Sequence, residues 1–392
     1  MSDVVIVGAA RTPIASFQGA FSALAAHDLG AAAIRAALER SGLPPSAVNE
    51  VFMRNCLMAA QGQAPARQAA HKAGLPRSAG AVTLSKMCGS GMRAAMFGAD
   101  MLHSGNADVI VAGGMESMTN APHLLPKGRA SIRIGHDTLL DHLMFDGLED
   151  AYEPGRSMGS FGEDCAERYR FTRPAQDDYA RASVGRAQRA AEQGWFDDEI
   201  VAVPVRSRQG ESSVGRDEGP QKIDVARIDK LKPAFKPGGT ITAASSSGIS
   251  DGAAALVLTR QSVAAELGAR PIARVVAQAI HAQEPGWFTT APVFASRCVL
   301  SKANWSVEDV DLWEVNEAFA VVPMALMAEL KVPHERMNVN GGACALGHPI
   351  GASGARILVT LLHALRRRGL KRGVASLCIG GGEASAMAIE LI

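Results

Sequence analysis

The sequence predicts an α/β protein made of two copies of one unit with an insertion between them. Three observations carry this. Forty glycines against 5% aromatic residues suit a chain with many tight strand-to-helix turns. Short apolar runs alternate with segments of helical periodicity, the pattern of a sheet covered by helices, and this alternation predicts a mostly parallel sheet. The last third of the chain also repeats the first. Residues 38–51 and 300–313 both read as a helix end, a residue suited to the left-handed conformation (Gly42, Asn304), a short turn and a strand. Residues 109–117, Val-Ile-Val-Ala-Gly-Gly-Met-Glu-Ser, resemble residues 374–385, Val-Ala-Ser-Leu-Cys-Ile-Gly-Gly-Gly-Glu-Ala-Ser.

Taken in order, residues 4–8 read as the first strand. Residues 28–41 read as a helix with Leu29, Ala32, Ala33, Ala36 and Ala37 on one face and Gly42 as its stop. Pro44, Pro45 and Ser46 open a turn, residues 50–54 a strand, and residues 64–73 a helix. Residues 82–87 lead up to Cys88, after which Met92, Ala95, Met96, Ala99 and Leu102 recur at helical spacing until Ser104 and Gly105. Residues 109–112 form a buried strand that runs into Gly113-Gly114. From about 119 to 249 the charge density rises and the alternation breaks. Residues 163–170 and 174–193 read as amphipathic helices there, the second with Thr172 as cap, Pro174 at its start and Gly194 at its end. Residues 207–220 are polar, a surface loop or ribbon. Ser245-Ser246-Ser247-Gly248 returns the chain to a helix and then to a strand at 253–258. In the second copy Ile357, Leu358, Leu361, Leu362 and Leu365 mark a helix that ends at Arg366-Arg367-Arg368-Gly369. The division that follows is a first half at 1–118 continued by 250–270, an insertion at 119–249 and a second half at 271–392.

Composition narrows the function. Hydrophobic residues make up 47% and charged residues 20%, an ordinary globular balance, and a net charge of +1 gives no bulk attraction to nucleic acid or membranes. No apolar run approaches a membrane span. The opening Met-Ser-Asp-Val-Val-Ile-Val-Gly lacks a basic leader and reads as a strand. The six cysteines (56, 88, 165, 298, 344, 378) form neither a C-x-x-C pair nor a zinc spacing. A reduced, cytoplasmic setting is the expectation, with a mitochondrial matrix protein stripped of its presequence as the alternative.

Four stretches are candidates for chemistry. Cys88 lies at or just before the first turn of a helix, where free N–H groups and the helix dipole favour a thiolate. Gly89 and Gly91 leave room there for a substrate to approach the backbone. The competing reading is a buried structural cysteine. Asn316, in Asn316-Glu317-Ala318-Phe319, follows a strand and opens a helix; it either caps that helix or orients a water or carbonyl. His348 stands among glycines in Gly347-His348-Pro349-Ile350-Gly351. Cys378 ends a strand beside Gly380, whose N–H can point at a developing oxyanion; its competing reading is a core cysteine. Metal binding suits this set poorly, a redox pair lacks C-x-x-C, and Cys–His nucleophilic catalysis with a second cysteine as proton carrier fits best. No metal or redox cofactor is expected.

Together and in order, these segments resemble the thiolase family, in its acetyl-CoA acetyltransferase and 3-ketoacyl-CoA thiolase branch, from Val4-Val5-Ile6-Val7-Gly8 to the final Gly380-Gly381-Gly382-Glu383. The resemblance implies two βαβαβαββ halves in a five-layer αβαβα sandwich, with 119–249 as a loop domain covering coenzyme A. It implies that Cys88 is the acylated nucleophile, His348 its base, and Cys378 the carrier of a proton to and from the α-carbon. Asn316 would hold a water that stabilises an oxyanion with His348. The backbone N–H groups of Cys88 and Gly380 would form a second oxyanion hole. Leu148, Phe235, Ala243, Ser247, Ala318 and Phe319 match positions lining the pantetheine or acyl channel. Ser157 stands where biosynthetic members carry a histidine, and Phe288 near where they carry a methionine. Ala244-Ser245-Ser246 replaces Gly-Asn-Ala. The partners implied are acyl-CoA, coenzyme A and a second copy, as a homodimer or homotetramer, with residues 123–143 resembling the oligomerisation loop. A β-ketoacyl-synthase-like condensing enzyme and a non-catalytic acyl-CoA or lipid binder are the alternatives. The first uses a cysteine with two histidines, or Cys-His-Asn, and Cys378 takes a position that would hold neither; the second would be expected to lose a reactive residue.

Overall fold

The structure is a computed structural model that describes residues 2–130, 134–207 and 210–392. The first half runs β1 (Val4–Arg11), β2 (Ala15–Ser16), α1 (Ala26–Ser41), β3 (Glu50–Arg54), α2 (Pro65–Lys72), β4 (Gly80–Leu84), α3 (Ser90–His103) and β5 (Val109–Ser117). The excursion carries β6 (His123–Leu124), β7 (Leu140–Asp141), α4 (Met158–Tyr169), α5 (Arg173–Glu192), β8 (Val203–Ser207), β9 (Gly210–Val214) and α6 (Gly219–Lys222). The chain then continues through β10 (Ser250–Arg260), α7 (Gln261–Glu266), β11 (Ala273–Ala282), α8 (Ala291–Ala303), β12 (Leu312–Val315) and α9 (Val321–Leu330). It closes with α10 (Ala343–Leu346), α11 (Ser353–Arg368), β13 (Arg372–Ile379) and β14 (Glu383–Leu391).

The strands lie in the order β12-β13-β14-β11-β1-β10-β5-β3-β4, with β2 beside β10. The two halves meet at a short seam, Val5 opposite Arg274 and Ile6 opposite Ala273. Outward from that seam the halves read β1-β10-β5-β3-β4 and β11-β14-β13-β12, one topology used twice. The expected fifth strand of the second half shrinks to a single bridge between Trp313 and Met337. The reason is next to it: the Asn338 side chain accepts from Val315 N and donates to Val315 O, each at 2.8 Å, and so occupies the groups a strand would have paired.

Alternation within the strands places the layers. Val5 and Val7 of β1 pack in the cluster that holds α1 and α2, while Val4 and Ile6 join the cluster of α3 and α11. A third cluster packs α8 and α9 against β11, β13 and β14. The layers are therefore α1/α2, sheet, α3/α11, sheet, α8/α9. In the middle layer α3 and α11 start side by side. A Cβ on Gly91 would meet Ala355 N at 2.5 Å, and one on Gly354 would meet Met92 N at 2.4 Å. The space at Gly91 serves the facing helix, not a substrate, contrary to the expectation.

Two further expectations change, and a third is met in part. The sheet is mixed rather than mostly parallel: β3–β4, β3–β5 and β12–β13 are parallel, and the pairings of β1, β5, β10, β11, β13 and β14 with one another are antiparallel. A turn as short as Gly380–Gly382 joins only antiparallel neighbours, and the excursion after β5 brings β10 back in the same sense. Ser245–Gly248 forms no helix. Ser245 Oγ accepts from Thr242 N at 2.9 Å and Ser246 Oγ donates to Thr242 O at 2.9 Å, so local side-chain bonds replace a helical ladder. The polar stretch from 207 is the β8–β9 ribbon followed by α6, although residues 208 and 209 lie outside the described residues. The same holds for 131–133 of the stretch 123–143, whose ends pair as β6–β7. Thr172 caps α5 as expected, accepting from Ala175 N at 3.3 Å.

Residues 119–249 supply no strand to the large sheet among the described residues; they are held to it by buried charge. Arg11, fully buried at the end of β1, donates to Glu199 at 2.6 Å and to both oxygens of Asp217 at 2.8 and 2.9 Å. Arg11→Ala would strand two buried carboxylates. It is expected to cost about 3–5 kcal/mol in urea unfolding near neutral pH. A loss below about 1 kcal/mol would show that the triad is not a clamp.

Candidate active site

Cys88 sits in a 3-10 turn, Met87–Gly89, between β4 and α3. Met87 holds φ 43°, in the left-handed region, where a residue other than glycine is strained; the strain turns the chain so that Cys88 faces inward. The space at Gly89 is filled by Ile379, whose Cδ1 would lie 2.3 Å from an added Cβ, so this glycine too makes room for the other half. The N–H groups of Gly380 and of Cys88 itself point at the Cys88 sulfur and favour its charged form. They do not win. Burial is the larger effect, and with a smaller push from Glu116 it raises the thiol to about 11. The helix start therefore does not make a resting thiolate, contrary to the expectation.

His348 reaches the site on the loop before α11. Its backbone N donates to Gly248 O at 3.0 Å. Ser353 Oγ donates to Pro349 O at 2.9 Å and lies 2.5 Å from His348 Nδ1, so the ring proton sits on Nδ1 and Nε2 carries the lone pair. Nε2 is buried without a hydrogen-bond partner among the described residues. Despite its glycine neighbours His348 is only 7% exposed; burial, then the nearby Arg356 charge, lowers it to about 3 and keeps it neutral. Asn316 does not cap a helix. It directly follows β12, five residues before α9 begins at Val321, and its Nδ2 lies 3.5 Å from His348 Nδ1. Its Oδ1 is buried and unpartnered among the described residues. Cys378 is fully buried near the end of β13; burial first, then the neighbouring Cys88, pushes its thiol well up.

An open cavity of about 1050 Å³ brings Cys88, His348 and Gly380 together with Leu148, Ser247 and Phe288. Ala318 and Phe319 line it as well. Ser157, Phe235 and Ala243 line a second cavity of about 970 Å³, which shares Leu148, Ser247, Phe319 and His348 with the first. Asn316 and Cys378 are not among the residues that line either cavity. Phe288 is held edge-on by Phe161, with ring centroids 6.2 Å apart, and Phe235 by Phe319 at 5.6 Å. Asp146, Glu149 and Asp150 also border the first cavity, yet each carboxylate is engaged: Asp146 with His142 Nδ1 at 2.6 Å, Glu149 with Gly155 N at 2.5 Å, Asp150 with Tyr152 N at 2.9 Å. Sequence reasoning missed Ser353, which sets the tautomer of His348, and Met158 and Ile350, which line both cavities. The only signal for Ser353 was a polar residue five positions after the histidine. No cluster of three or more His, Cys, Asp or Glu among the described residues is placed to hold a metal. No helix among them is long and apolar enough to cross a membrane.

A nucleophile, a neutral base and paired backbone donors, set between two related α/β halves, are the equipment of an acyl-transferring enzyme, and here the halves match known domains. Residues 4–262 match the family model described as "Thiolase, N-terminal domain" and residues 269–391 that described as "Thiolase, C-terminal domain". The chain belongs to the thiolase family. Among its relatives, acetyl-CoA acetyltransferase 2 of Arabidopsis thaliana is 49% identical over all of this chain and 97% of that protein. The acetyl-CoA acetyltransferase of Cupriavidus necator is 46% identical over the whole of both. A crystal structure of the Bacillus anthracis acetyl-CoA acetyltransferase superimposes with a TM-score of 0.97 at 40% identity, over 100% of this chain and 99% of that one.

Proposed function

We propose that this chain is an acetyl-CoA C-acetyltransferase that runs a reversible Claisen condensation: two acetyl-CoA give acetoacetyl-CoA and coenzyme A, and thiolysis reverses it. The observation that carries the reading is Cys88 and the bare Nε2 of His348 in one cavity, with the N–H groups of Cys88 and Gly380 aimed at the sulfur.

The chemistry follows from the protonation states. At neutral pH the thiol and the imidazole are both uncharged. The Cys88 proton passes to His348 Nε2 as sulfur attacks the thioester carbonyl, and the negative charge goes to the carbonyl oxygen rather than resting on the thiolate. The Cys88 and Gly380 N–H groups receive it. Such a donor is worth roughly two to three orders of magnitude in rate. Coenzyme A leaves with the proton from His348, and Cys88 holds the acyl group. The second acetyl-CoA then loses an α-proton to the thiolate form of Cys378, a minor fraction at neutral pH, and Cys378 hands that proton on to the Cys88 sulfur when the Cys88 thioester breaks. A thiol pushed well up has a strongly basic thiolate, matched to a weakly acidic C–H. The α-carbon attacks the acyl carbonyl, the C–C bond forms and the Cys88 thioester breaks. Asn316, beside His348, holds a water in this reading that stabilises the enolate oxygen together with His348. The two joined cavities have room for a pantetheine arm along Leu148, Phe235, Ala243 and Ser247, with the acyl group toward Phe288.

Incubation with acetyl-CoA is expected to leave an acetyl group on the Cys88 peptide, read by mass spectrometry; an unmodified peptide would sink the proposal. The chain works as a homodimer or homotetramer in this reading. An edge strand supports it: β4 pairs on one side only among the described residues and its Val82 is exposed. Sedimentation showing only monomer would remove that part.

A further inference from the structure

One buried carboxyl takes no part in these steps. Glu116 ends an otherwise apolar strand, is fully buried, and takes four donors. Oε1 accepts from Leu57 N at 3.2 Å and from Asn55 Nδ2; Oε2 accepts from Cys56 N at 3.0 Å and from Gly351 N at 2.8 Å. Those donors belong to segments from opposite halves. Gly351 is the third residue after His348, and it approaches so closely that a Cβ there would fall 2.7 Å from Glu116 Oε2. On the other side, Cys56 Sγ donates to Met87 O at 3.3 Å and lies 3.3 Å from Ser90 Oγ, and Ser90 Oγ accepts from Lys86 N at 2.8 Å. These are the residues that frame the Cys88 turn. One carboxylate thus links the loop that carries the base to the turn that carries the nucleophile.

We propose that Glu116 is a positioning residue for acyl transfer, setting the approach of the His348 loop to the Cys88 turn by holding both through one carboxylate. The titratable groups facing it are Cys56 and Cys88. Its negative charge adds a smaller push to the burial that keeps the Cys88 thiol protonated until a thioester arrives. Burial works against that charge and raises Glu116 to about 7, while the N–H groups of Cys56, Leu57 and Gly351 pull it back.

The inference rests on the thiolase reading, and the two are tested separately. Acetoacetyl-CoA thiolysis by the wild-type chain tests that reading, whereas alkylation of Cys88 by iodoacetamide needs no thioester. In Glu116→Gln one end of the side chain becomes a donor and can no longer accept. The kcat for thiolysis is expected to fall about 10- to 100-fold with KM changed by less than about threefold. Alkylation of the Cys88 peptide at about pH 8 is expected to be roughly three- to tenfold faster, because the opposing charge has gone. Glu116→Asp keeps the charge and loses reach, so its kcat falls while its alkylation rate stays at the wild-type value. A wild-type kcat in either variant overturns the proposal. Unchanged alkylation in Glu116→Gln makes the residue a mere brace and overturns it too. If Glu116→Gln does not fold, the kcat of Glu116→Asp decides.

Discussion

Cys88→Ala is expected to abolish both directions of the reaction, lowering thiolysis of acetoacetyl-CoA by about four to six orders of magnitude while the fold is kept. The side chain is small and partly buried, and its turn is held by Ser90, Cys56 and Ile379 rather than by the sulfur. Thermal unfolding should therefore stay close to wild type. Retention of more than about one part in a hundred of the wild-type kcat would assign the nucleophile elsewhere. The pH dependence separates this site from one with a standing thiolate. With the thiol at about 11 and His348 at about 3, alkylation of Cys88 in the free enzyme should climb steadily as pH rises through the neutral range, following the thiolate fraction. A plateau across neutral pH would mean a preformed thiolate–imidazolium pair.

Cys378→Ala is expected to split the two half-reactions. Acetylation of Cys88 by acetyl-CoA should stay within about tenfold of wild type, because the His348 base and the Cys88 and Gly380 donors remain. Condensation should fall by about two to four orders of magnitude, since nothing else named here takes the α-proton. Single-turnover mass spectrometry reads the first, and formation of acetoacetyl-CoA the second. Equal loss in both would contradict the division of labour. Removing a sulfur from a fully buried position leaves a small cavity, so stability should drop by about 1 kcal/mol, too little to mimic the expected loss of condensation.

The parts of the fold that were legible in the sequence are those whose cause is local. Gly42 and Asn304 end α1 and α8 in the left-handed conformation, Thr172 caps α5, and the apolar spacing of α3 and α11 is plain in the chain. The repeat was legible because each copy uses the same turn chemistry. Strand direction was not: an apolar run has no arrow, and the direction follows from where the chain returns. The missing fifth strand of the second half was equally hidden, since one asparagine side chain, Asn338, stands in for a backbone edge.

The site divides along the same line. Cys88, Asn316, His348 and Cys378 stand out in the sequence because each sits in a short, glycine-marked or polar segment beside a strand end or a helix start, where chemistry-bearing residues are easy to see. Their protonation states were not legible. The expectation of a favoured thiolate came from the helix start, a local effect. The thiol at about 11 comes from burial, in a cluster that includes residues of α11 from the other half of the chain, and from a smaller push by Glu116. Ser353 orients the imidazole and Glu116 joins the two loops, and neither was found, because a serine inside a helix start and an acid at a strand end look like ordinary punctuation. The sequence alone determined which groups this thiolase carries and the family they belong to, since residue identity and local spacing are written in the chain. The tertiary structure alone decided which of them meet, which face the cavity and which hold a proton, since these depend on desolvation and on fields from residues that become neighbours only when the two halves close on each other.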